Sequence, residues 1–562
     1  MVTLMEVTMF FREKHAEGRT YLQIVENRWE EGKTKQRVLA TLGRLEALRD
    51  SGSIDSLLRS GSRFAQALMV LSAHKNKEAP VISTRRIGPG LIFERLWRET
   101  GIREALESEL SGRKFNFDVE RAIFLTVLHR LFDPGSDRQA DRWKEGYLLE
   151  GVERLELHHL YRAMAWLGEE LPMSEQCTMT RFAPRAVKDM VEECLFALRQ
   201  DLFSAVDIVF FDTTSIYFEG EGGDVGEYGK TKDHRSDRKQ MVVGAVLDGN
   251  GRPICCELWP GNAADAKSLI PVVDRLRKRF KVGRVCVVAD RGMISAETIN
   301  ELERREWEYI LGARMRNQKE VRDSVLGRGG AYTVVRPKGK KSKDPSPLKV
   351  KEVLIEERRY IVCLNEDQAK KDAFDRAEIV ASLKERLKGG DKSLVGNKGY
   401  RRYLKVVGEG FGIDESVIEQ EARYDGKWVL RTNTKMDKAE VALKYKELWM
   451  VERIFRSVKS VLATRPIFHK CTETILGHVF CSFLALALMK ELQDRLESKG
   501  CQLEWSDVIH DLDRIEEVEV EQDAKRFLLR SAAIGVCGKV FQAAGVAMPQ
   551  TVRQLPIETQ NA

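Results

Sequence analysis

The sequence predicts a mixed α/β fold for the central part of the chain, and two observations predict it. Three short segments with alternating hydrophobic residues follow one another closely, as the strands of a meander do. They are Ile208–Thr213, Met241–Leu247 and Pro253–Trp259. Helical and strand-like patterns then alternate up to Gly312, as they do in units that build a parallel sheet. Together the two patterns predict one sheet with both antiparallel and parallel strands.

The elements after the meander complete this arrangement. A helix from about Ala264 to Phe280 precedes a strand at Arg284–Ala289, and a helix at Ala296–Arg305 precedes a strand at Glu308–Gly312. Three strands in a meander followed by helix, strand, helix and strand form the ribonuclease-H-like plan. We therefore expect the first part of such a core over residues 204–314.

Residues 1–80 are predicted to form a small β unit followed by a helix. The segments Tyr21–Trp29 and Lys33–Leu42 are rich in branched and aromatic residues, and Glu31-Gly32 between them supplies a turn. This pattern predicts a β-hairpin.

Residues 81–203 have a helical pattern, and we expect a helical region that serves DNA binding or dimerisation. Asp118 suits the N-cap of a helix over Val119–Leu131, and Ser136 with Gln139 forms a capping-box pattern for the next helix. Two helices around a short Pro-Gly turn fit a helix-turn-helix reader of DNA and an ordinary helical bundle alike.

The rest of the chain is predicted to interrupt the core and then to return to it. Residues 315–437 combine a basic, Gly/Pro-rich stretch with short strands, so we expect an inserted basic β-rich domain. Residues 438–495 supply the last core helices, including a buried helix at Ile475–Met489, which is shorter than the roughly 20 residues that a bilayer span needs. Residues 496–562 are predicted as a helical tail with a helix at Val520–Ile534.

Composition and charge indicate a soluble protein with an acidic partner. The 562 residues are 43% hydrophobic and 32% charged, with a net charge of +7. Arg314–Glu352 contains 12 basic and 4 acidic residues, and Glu440–Lys470 contains 7 and 3. Such clusters suit a phosphate backbone, although a solvated surface explains a single charge run equally well.

Ten cysteines without a Cys-x-x-Cys pair, and no signal-peptide pattern, predict the reducing cytoplasm.

Three carboxylates are candidate metal ligands. Asp212 follows four apolar residues in the first core strand, Asp290 ends the fourth, and Glu452 lies far downstream on a basic amphipathic helix. Two-metal phosphoryl transfer needs carboxylates on rigid elements because the ions lie roughly 4 Å apart. Singly, an aspartate at a strand end also fits a turn, and the glutamate also fits a surface ion pair. Their joint occurrence in this fold order favours a catalytic metal site.

The helix that carries Glu452 is predicted to present one functional face. Tyr445, Glu452 and Lys459 are spaced by seven residues, about two helical turns, and Arg456 lies on nearly the same side. Glu447, on the same predicted helix, would point elsewhere. An acid in a row of aromatic and basic groups is typical of a face directed at DNA.

At these residues the sequence resembles the bacterial insertion-sequence transposases of the DDE superfamily, in the branch with a β-rich insertion between the second aspartate and the glutamate. That branch carries a tyrosine-arginine-glutamate-lysine signature on its last catalytic helix, and Tyr445, Glu452 and Lys459 match it in type and spacing. Other segments between about residues 205 and 490 also resemble the family: Lys232–Gln240, Pro260–Asn262 with Asp265, Asp290–Gly292, Trp428–Thr434 and Arg465–His469.

One position departs from the signature. Leu448 stands where the branch has arginine, so the phosphate contact of that arginine would pass to Arg453 or Arg456. With Tyr445 and Lys459, these arginines are predicted to contact DNA.

Trp428 opens an apolar strand, where it would stack on a base at the DNA end. A core tryptophan is the alternative.

The resemblance implies a transposase that binds transposon ends and catalyses metal-dependent DNA cleavage and strand transfer, by cut-and-paste. Asp212, Asp290 and Glu452 would hold two Mg²⁺ ions, for which Mn²⁺ would substitute. The implied partners are the terminal inverted repeats, the target DNA and a second copy of the chain on the DNA ends, in the cytoplasm at the nucleoid and without a membrane.

Two other classes of function stay open on the sequence alone. One is a ribonuclease-H-like nuclease without strand transfer. The other is a catalytically silent DNA-binding protein derived from a transposase.

Overall fold

The structure, a computed structural model, describes most of the chain. The described residues are 9–16, 18–30, 33–75, 80–176, 184–198, 208–280, 285–335, 348–388, 402–407, 410–523 and 525–556. They divide into two units. The terminal unit comprises Met1–Arg86, Arg514–Ala533 and Met548–Ala562, and the main unit comprises Ile87–Asp513 and Ile534–Ala547.

Among the described residues the strands are, in chain order, β1 (Met9–Ala16), β2 (Arg19–Glu30), β3 (Lys33–Arg44), β4 (Val81–Arg86), β5 (Ile208–Tyr217), β6 (Gln240–Leu247), β7 (Pro253–Pro260), β8 (Cys286–Ala289), β9 (Glu308–Gly312), β10 (Thr333–Val335), β11 (Leu348–Ile355), β12 (Arg358–Asn365), β13 (Leu404–Val407), β14 (Gly410–Ile413), β15 (Lys427–Thr432), β16 (Glu516–Gln522), β17 (Lys525–Arg530) and β18 (Val552–Gln554).

The α-helices of the same residues are α1 (Leu45–Asp50), α2 (Ser53–Lys75), α3 (Gly88–Glu99), α4 (Ile102–Leu110), α5 (Val119–Phe132), α6 (Asp137–Trp143), α7 (Leu157–Leu167), α8 (Val187–Leu198), α9 (Asp265–Phe280), α10 (Ala296–Arg304), α11 (Glu366–Lys388), α12 (Glu415–Ala422), α13 (Lys438–Lys446), α14 (Trp449–Arg456), α15 (Thr472–Ser498), α16 (Trp505–Asp513) and α17 (Cys537–Ala544).

The terminal unit contains two antiparallel sheets. One has the order β1-β2-β3, and the other has the order β18-β17-β16-β4. The predicted hairpin is confirmed, because β2 pairs antiparallel with β3. Its predicted turn at residues 31–32 lies outside the described residues.

The predicted helix at Val520–Ile534 is wrong. The segment belongs instead to the hairpin of β16 and β17. Val518 and Val520 alternate with glutamates, which is the period of a strand, and Phe527 and Leu529 of the partner strand are buried. The strand β4, more than 400 residues earlier in the chain, supplies the next paired edge, which no local pattern reveals.

The helical region of the main unit is organised around α5. The side chains from Val119 to Leu131 are buried all round the helix, and Asp118 caps it by accepting a hydrogen bond from Arg121 N at 3.0 Å. α7 and α15 pack against it. A helix buried on every face favours the bundle over the helix-turn-helix reading.

α15 is the buried helix expected within Ile475–Met489. Its length and hydropathy would suit a membrane span, but 89% of its most apolar window lies inside the protein. The helix is therefore part of the core, as predicted, but with 27 residues it is longer than the predicted segment and is not too short to span a bilayer.

The main unit is built on a nine-stranded sheet. Its order is β10-β11-β12-β15-β9-β8-β5-β6-β7. β5, β6 and β7 form the antiparallel meander, and β8 and β9 lie parallel to β5 on its other side. The predicted mixed sheet is confirmed, and the strand order within it follows the predicted plan.

Residues 315–437, expected to form an inserted domain, largely extend this sheet. β15 pairs antiparallel with β9, and β12, β11 and β10 continue from it. Beside these strands, α11, the β13–β14 hairpin and α12 share a small core around Leu383 and Tyr403. The segment thus adds strands to the nine-stranded sheet as well as a smaller packed element.

A buried network of charges joins α8 and α9 to the edge strand β7. At its centre the fully buried Arg279 lies 3.1 Å from Asp189 and 2.7 Å from Glu192. The other members are Lys188, Glu193, Glu257 and Arg275. Although burial raises the pKa of Asp189, the surrounding cations hold that pKa well below its usual range. The network fixes how the helical region meets the sheet.

Candidate active site

Asp212 and Asp290 occupy neighbouring positions on adjacent strands. β5 and β8 are parallel, and Phe211 pairs with Ala289, so each aspartate follows by one residue the last pair of the ladder. Adjacent strands are about 4.8 Å apart. Side chains alternate between the two faces of a sheet, so Asp212 points to the face of Phe210, which lies in the core cluster beneath α13 and α14. The two carboxylates are therefore attached at adjacent backbone positions, at the C-terminal end of the β5–β8 ladder.

Hydrogen bonds and a nearby cation hold Asp212 in place. The half-buried carboxylate accepts a hydrogen bond from Thr213 N at 2.7 Å. Lys232 Nζ lies 4.0 Å from Asp212 Oδ1 and donates to the Thr213 carbonyl at 2.6 Å. The hydrogen bond to the strand keeps the positive charge of Lys232 beside Asp212.

Asp290 is held by a tyrosine. Tyr445, near the end of α13, donates its hydroxyl hydrogen to Asp290 Oδ1 at 2.9 Å. Burial raises the pKa of Tyr445 well above its usual value, and the charge of Asp290 raises it further. The tyrosine therefore stays protonated and able to donate.

Glu452 lies on α14, which packs on the sheet above β5 and β6. Val451 and Phe455 of this helix belong to the same core cluster as Ala245, the residue paired with Asp212 in the ladder. In an ideal helix, Glu452 lies about 100° from Val451 and about 60° from Phe455. Glu452 thus borders the side of α14 that faces the sheet. Among the described residues its exposed carboxylate has no hydrogen-bond or ion-pair partner.

The prediction that one continuous helix carries Tyr445, Glu452 and Lys459 is wrong. α13 ends at Lys446 and α14 begins at Trp449, and the turn between them is tightened by i to i+3 hydrogen bonds such as Met450 N to the Glu447 carbonyl. After α14 the backbone widens into a π-helix at Ser457–Val461. The three residues therefore do not share one uninterrupted α-helix, and Tyr445 reaches the site from a different helix than Glu452.

The predicted DNA contacts have different surroundings. Arg453 and Arg456 are exposed on α14, and the Arg453 guanidinium lies 6.0 Å from the Trp449 ring centroid. Lys459 is half-buried, with its Nζ 2.7 Å from the buried Asp233. Burial lowers the pKa of Lys459, and Asp233 partly offsets that effect.

Two cations, one near Asp212 and one near Asp233, were not singled out from the sequence. Lys232 lies beside Asp212, and Arg465 Nη1 lies 2.6 Å from the same Asp233 oxygen that Lys459 contacts. Both occur in family-like segments, but no local pattern shows that these segments meet at the end of β5.

Trp428 lies on β15, opposite Cys363 of β12. Its half-buried ring packs against the core cluster beneath α13 and α14, and its Nε1 is buried with no hydrogen-bond partner among the described residues. This placement favours a packing role, and the predicted stacking on DNA stays a prediction.

A second group of possible metal ligands lies between the helical region and the loop after the π-helix. Asp137, His469 and His478 bring one ligand atom each within 4.8 Å of one another. However, Arg130 Nη2 lies 2.8 Å from His478 Nδ1, the atom that an ion would need. Burial holds the pKa of His478 well below its usual value. We interpret the group as a hydrogen-bonded network that anchors α15.

Comparison with known proteins identifies the family. Residues 205–488 match the family described as "Transposase DDE domain", and residues 10–74 match "IS1634 family transposase, N-terminal domain". The chain belongs to the DDE transposases, and within them it is an insertion-sequence transposase. The membership agrees with the ribonuclease-H-like fold class expected from the sequence, and DDE transposase domains generally use divalent metal.

Two solved structures of transposases are similar to this chain. A cryo-EM structure of the piggyBac transposase synaptic complex with hairpin DNA has a TM-score of 0.37 and 10% identity, over 76% of this chain and 79% of that one. The Mos1 transposase paired-end complex with the left transposon end has a TM-score of 0.15 and 16% identity, over 35% of this chain and 60% of that one. A search of curated proteins finds no match.

Proposed function

We propose that this transposase binds the ends of its element and catalyses metal-dependent DNA cleavage and strand transfer, by the cut-and-paste route. The observation that carries the proposal is the pair Asp212 and Asp290 on adjacent parallel strands, beside the helix that bears Glu452. In cleavage, water would attack a phosphodiester at the element end. In strand transfer, the freed 3′-OH would attack the target DNA.

The donor set fits Mg²⁺. Carboxylate oxygens from Asp212, Asp290 and Glu452 are the ligands that this ion prefers, and Mn²⁺ accepts the same donors. When bound, two such ions activate the attacking oxygen and stabilise the leaving oxygen. The role of the protein is to hold the three carboxylates on a sheet and a packed helix, so that the side chains need little rearrangement when the ions bind.

The basic groups near the carboxylates suit the DNA backbone. Arg453 and Arg456 are exposed on α14, Lys232 lies beside Asp212, and Lys459 follows on the π-helix. We propose that these side chains contact phosphates next to the scissile one, which fixes the position of the DNA without reading its sequence.

Cut-and-paste chemistry requires two element ends at once. We propose that the chain acts as a homodimer on the DNA ends, in the bacterial cytoplasm at the nucleoid. Sedimentation of the protein with and without end DNA tests this part, and a DNA-bound monomer that is fully active would contradict it.

The proposed function is tested with purified protein and DNA that carries the element ends, taken from the inverted repeats that flank the coding region. We expect nicking that requires Mg²⁺ or Mn²⁺ and joining of the cut ends to a target plasmid. Nicking without joining would favour the nuclease alternative. End binding without nicking in either metal would favour the silent DNA-binding protein.

The basic stretch Arg314–Lys351 is expected to contribute affinity that is independent of DNA sequence. Residues 336–347 of it lie outside the described residues, and the described Lys349 and Lys351 make contacts within the protein. We therefore predict that replacing Lys338, Lys340, Lys341 and Lys343 by glutamine flattens the dependence of log K on log salt, by up to about 3.6 if all four contact phosphates.

A matched control neutralises four exposed lysines on α11: Lys370, Lys371, Lys384 and Lys388. Their replacement by glutamine is expected to leave the salt slope nearly unchanged. An equal slope for the first variant and the unmodified protein would contradict the prediction.

Trp428→Ala is expected to lower the free energy of unfolding by about 2 kcal/mol, less than the roughly 3–5 kcal/mol of a fully buried ring. The reason is the packing of the half-buried ring against the core cluster. Urea unfolding measures the change. An unchanged stability with weakened binding to DNA ends would instead support the stacking role.

A further inference from the structure

The contact between Tyr445 and Asp290 joins the second aspartate to the helices that follow the core sheet. The tyrosine hydroxyl lies 2.9 Å from Asp290 Oδ1, and its ring packs against the core cluster beneath α13 and α14. Because the ring is held by packing, the hydroxyl is a fixed donor directed at one oxygen of Asp290.

A glycine makes room for this contact. Gly312 ends β9, the strand next to β8. A Cβ at Gly312 would overlap the Tyr445 hydroxyl and would lie 3.0 Å from Tyr445 Cζ. Every other residue type carries a Cβ, so only glycine at this position allows the tyrosine to reach Asp290 in the observed conformation.

We propose that Tyr445 is a positioning residue for metal binding. Its hydroxyl occupies Oδ1 of Asp290 and so directs Oδ2 to the ion. Gly312 leaves the space that the tyrosine hydroxyl needs. This inference rests on the proposed function, since it takes Asp290 as a metal ligand. Partners that orient a ligand typically change metal affinity or activity by 10- to 100-fold.

The proposal gives Tyr445 a role different from a DNA contact. A hydroxyl that donates to Asp290 is already engaged, and a half-buried ring in a core cluster presents little surface to a base. The two roles differ in what they affect. Loss of a DNA contact weakens DNA binding, whereas loss of the orienting bond weakens metal binding in protein without DNA.

The test compares Tyr445→Phe with the unmodified protein. The change removes the hydroxyl and keeps the ring. Titration of the DNA-free protein with Mn²⁺, followed by electron paramagnetic resonance, is expected to give a Kd about 10- to 100-fold higher. The Mg²⁺ concentration for half-maximal nicking is expected to rise in the same proportion, while DNA affinity in EDTA stays within about twofold. Gly312→Ala is expected to act in the same direction.

Two controls separate orientation from general damage. Tyr309→Phe removes another tyrosine–carboxylate hydrogen bond, to Glu303 at 2.6 Å, and is expected to leave Mn²⁺ affinity unchanged. Gly249→Ala adds a Cβ where nothing lies within 4 Å. If Gly312→Ala fails to fold, Tyr445→Phe carries the test alone.

The outcomes distinguish the inference from the proposed function. If Asp290→Asn abolishes Mn²⁺ binding and nicking while Tyr445→Phe leaves both unchanged, the positioning role is overturned. Reduced DNA affinity with unchanged Mn²⁺ affinity overturns it as well, in favour of a DNA contact. If Asp290→Asn itself leaves Mn²⁺ binding and nicking intact, the proposed function fails.

Discussion

Glu452→Gln is expected to abolish metal-dependent nicking of end DNA, with a loss of at least about 100-fold, whereas Glu447→Gln is expected to keep most of the activity. Glu452 borders the side of α14 that faces the sheet, and among the described residues its carboxylate is not engaged elsewhere. Glu447 lies in the turn before α14, where Lys444 Nζ is 3.0 Å from its carboxylate. Of the two glutamates, Glu452 is therefore the one whose carboxylate is not engaged among the described residues and which is placed to complete the proposed ligand set.

The measurement is nicking of a labelled end fragment in Mg²⁺, with DNA binding measured in EDTA. Glutamine is nearly the same size as glutamate, so both variants are expected to fold and to bind DNA. The reverse result, an inactive Glu447→Gln and an active Glu452→Gln, would exclude Glu452 as the third ligand.

The pair of aspartates could be predicted because local patterns contain the necessary information. An apolar run that reaches an aspartate indicates the strand that positions it, and the order of strands and helices predicts which strands are neighbours. Asp212, inside β5, and Asp290, directly after β8, each follow by one residue the last pair of the β5–β8 ladder. This part of the site depends only on hydrogen-bonded strands, whose geometry is regular.

The route of Tyr445 to the site could not be predicted in the same way. A residue spacing of seven gives a common face only in an uninterrupted helix. Here the backbone tightens around Glu447 and Leu448 and widens after Ser457, so the regular rotation of about 100° per residue of an α-helix no longer applies. The space at Gly312 depends on tertiary packing, and a single glycine at a strand end does not predict it.

The strands added by residues 315–437 and the hairpin near the C-terminus show a second limit. β15 pairs with β9, and β16 pairs with β4, across long stretches of sequence. A strand pattern indicates that a segment is extended but does not specify its partner. The sequence therefore predicted strands in the inserted segment without showing that they join the nine-stranded sheet.

Arg279→Met is expected to lower the free energy of unfolding by about 3–5 kcal/mol, because it removes one of the cations that compensate the buried carboxylates of the network and leaves an excess of buried negative charge. The arginine side chain is fully buried and lies 3.1 Å from Asp189, 2.7 Å from Glu192 and 2.7 Å from Glu193. Methionine fills much of the same space, so loss of charge rather than a cavity causes the effect. Urea unfolding measures the change.

Arg304→Met is the matched control for the Arg279 variant. Arg304 lies 2.9 Å from Glu301 on α10, but its side chain is 67% exposed, and exposed pairs contribute about 0–1 kcal/mol. Adding Glu192→Gln to Arg279→Met is expected to restore part of the lost stability, since it removes one of the buried negative charges that Arg279 compensates. Two results would contradict the prediction: Arg279→Met lowers the free energy of unfolding no more than Arg304→Met does, or the double variant is less stable than Arg279→Met alone. In either case uncompensated buried charge is not what destabilises the protein, and the network does not fix α8 against the sheet.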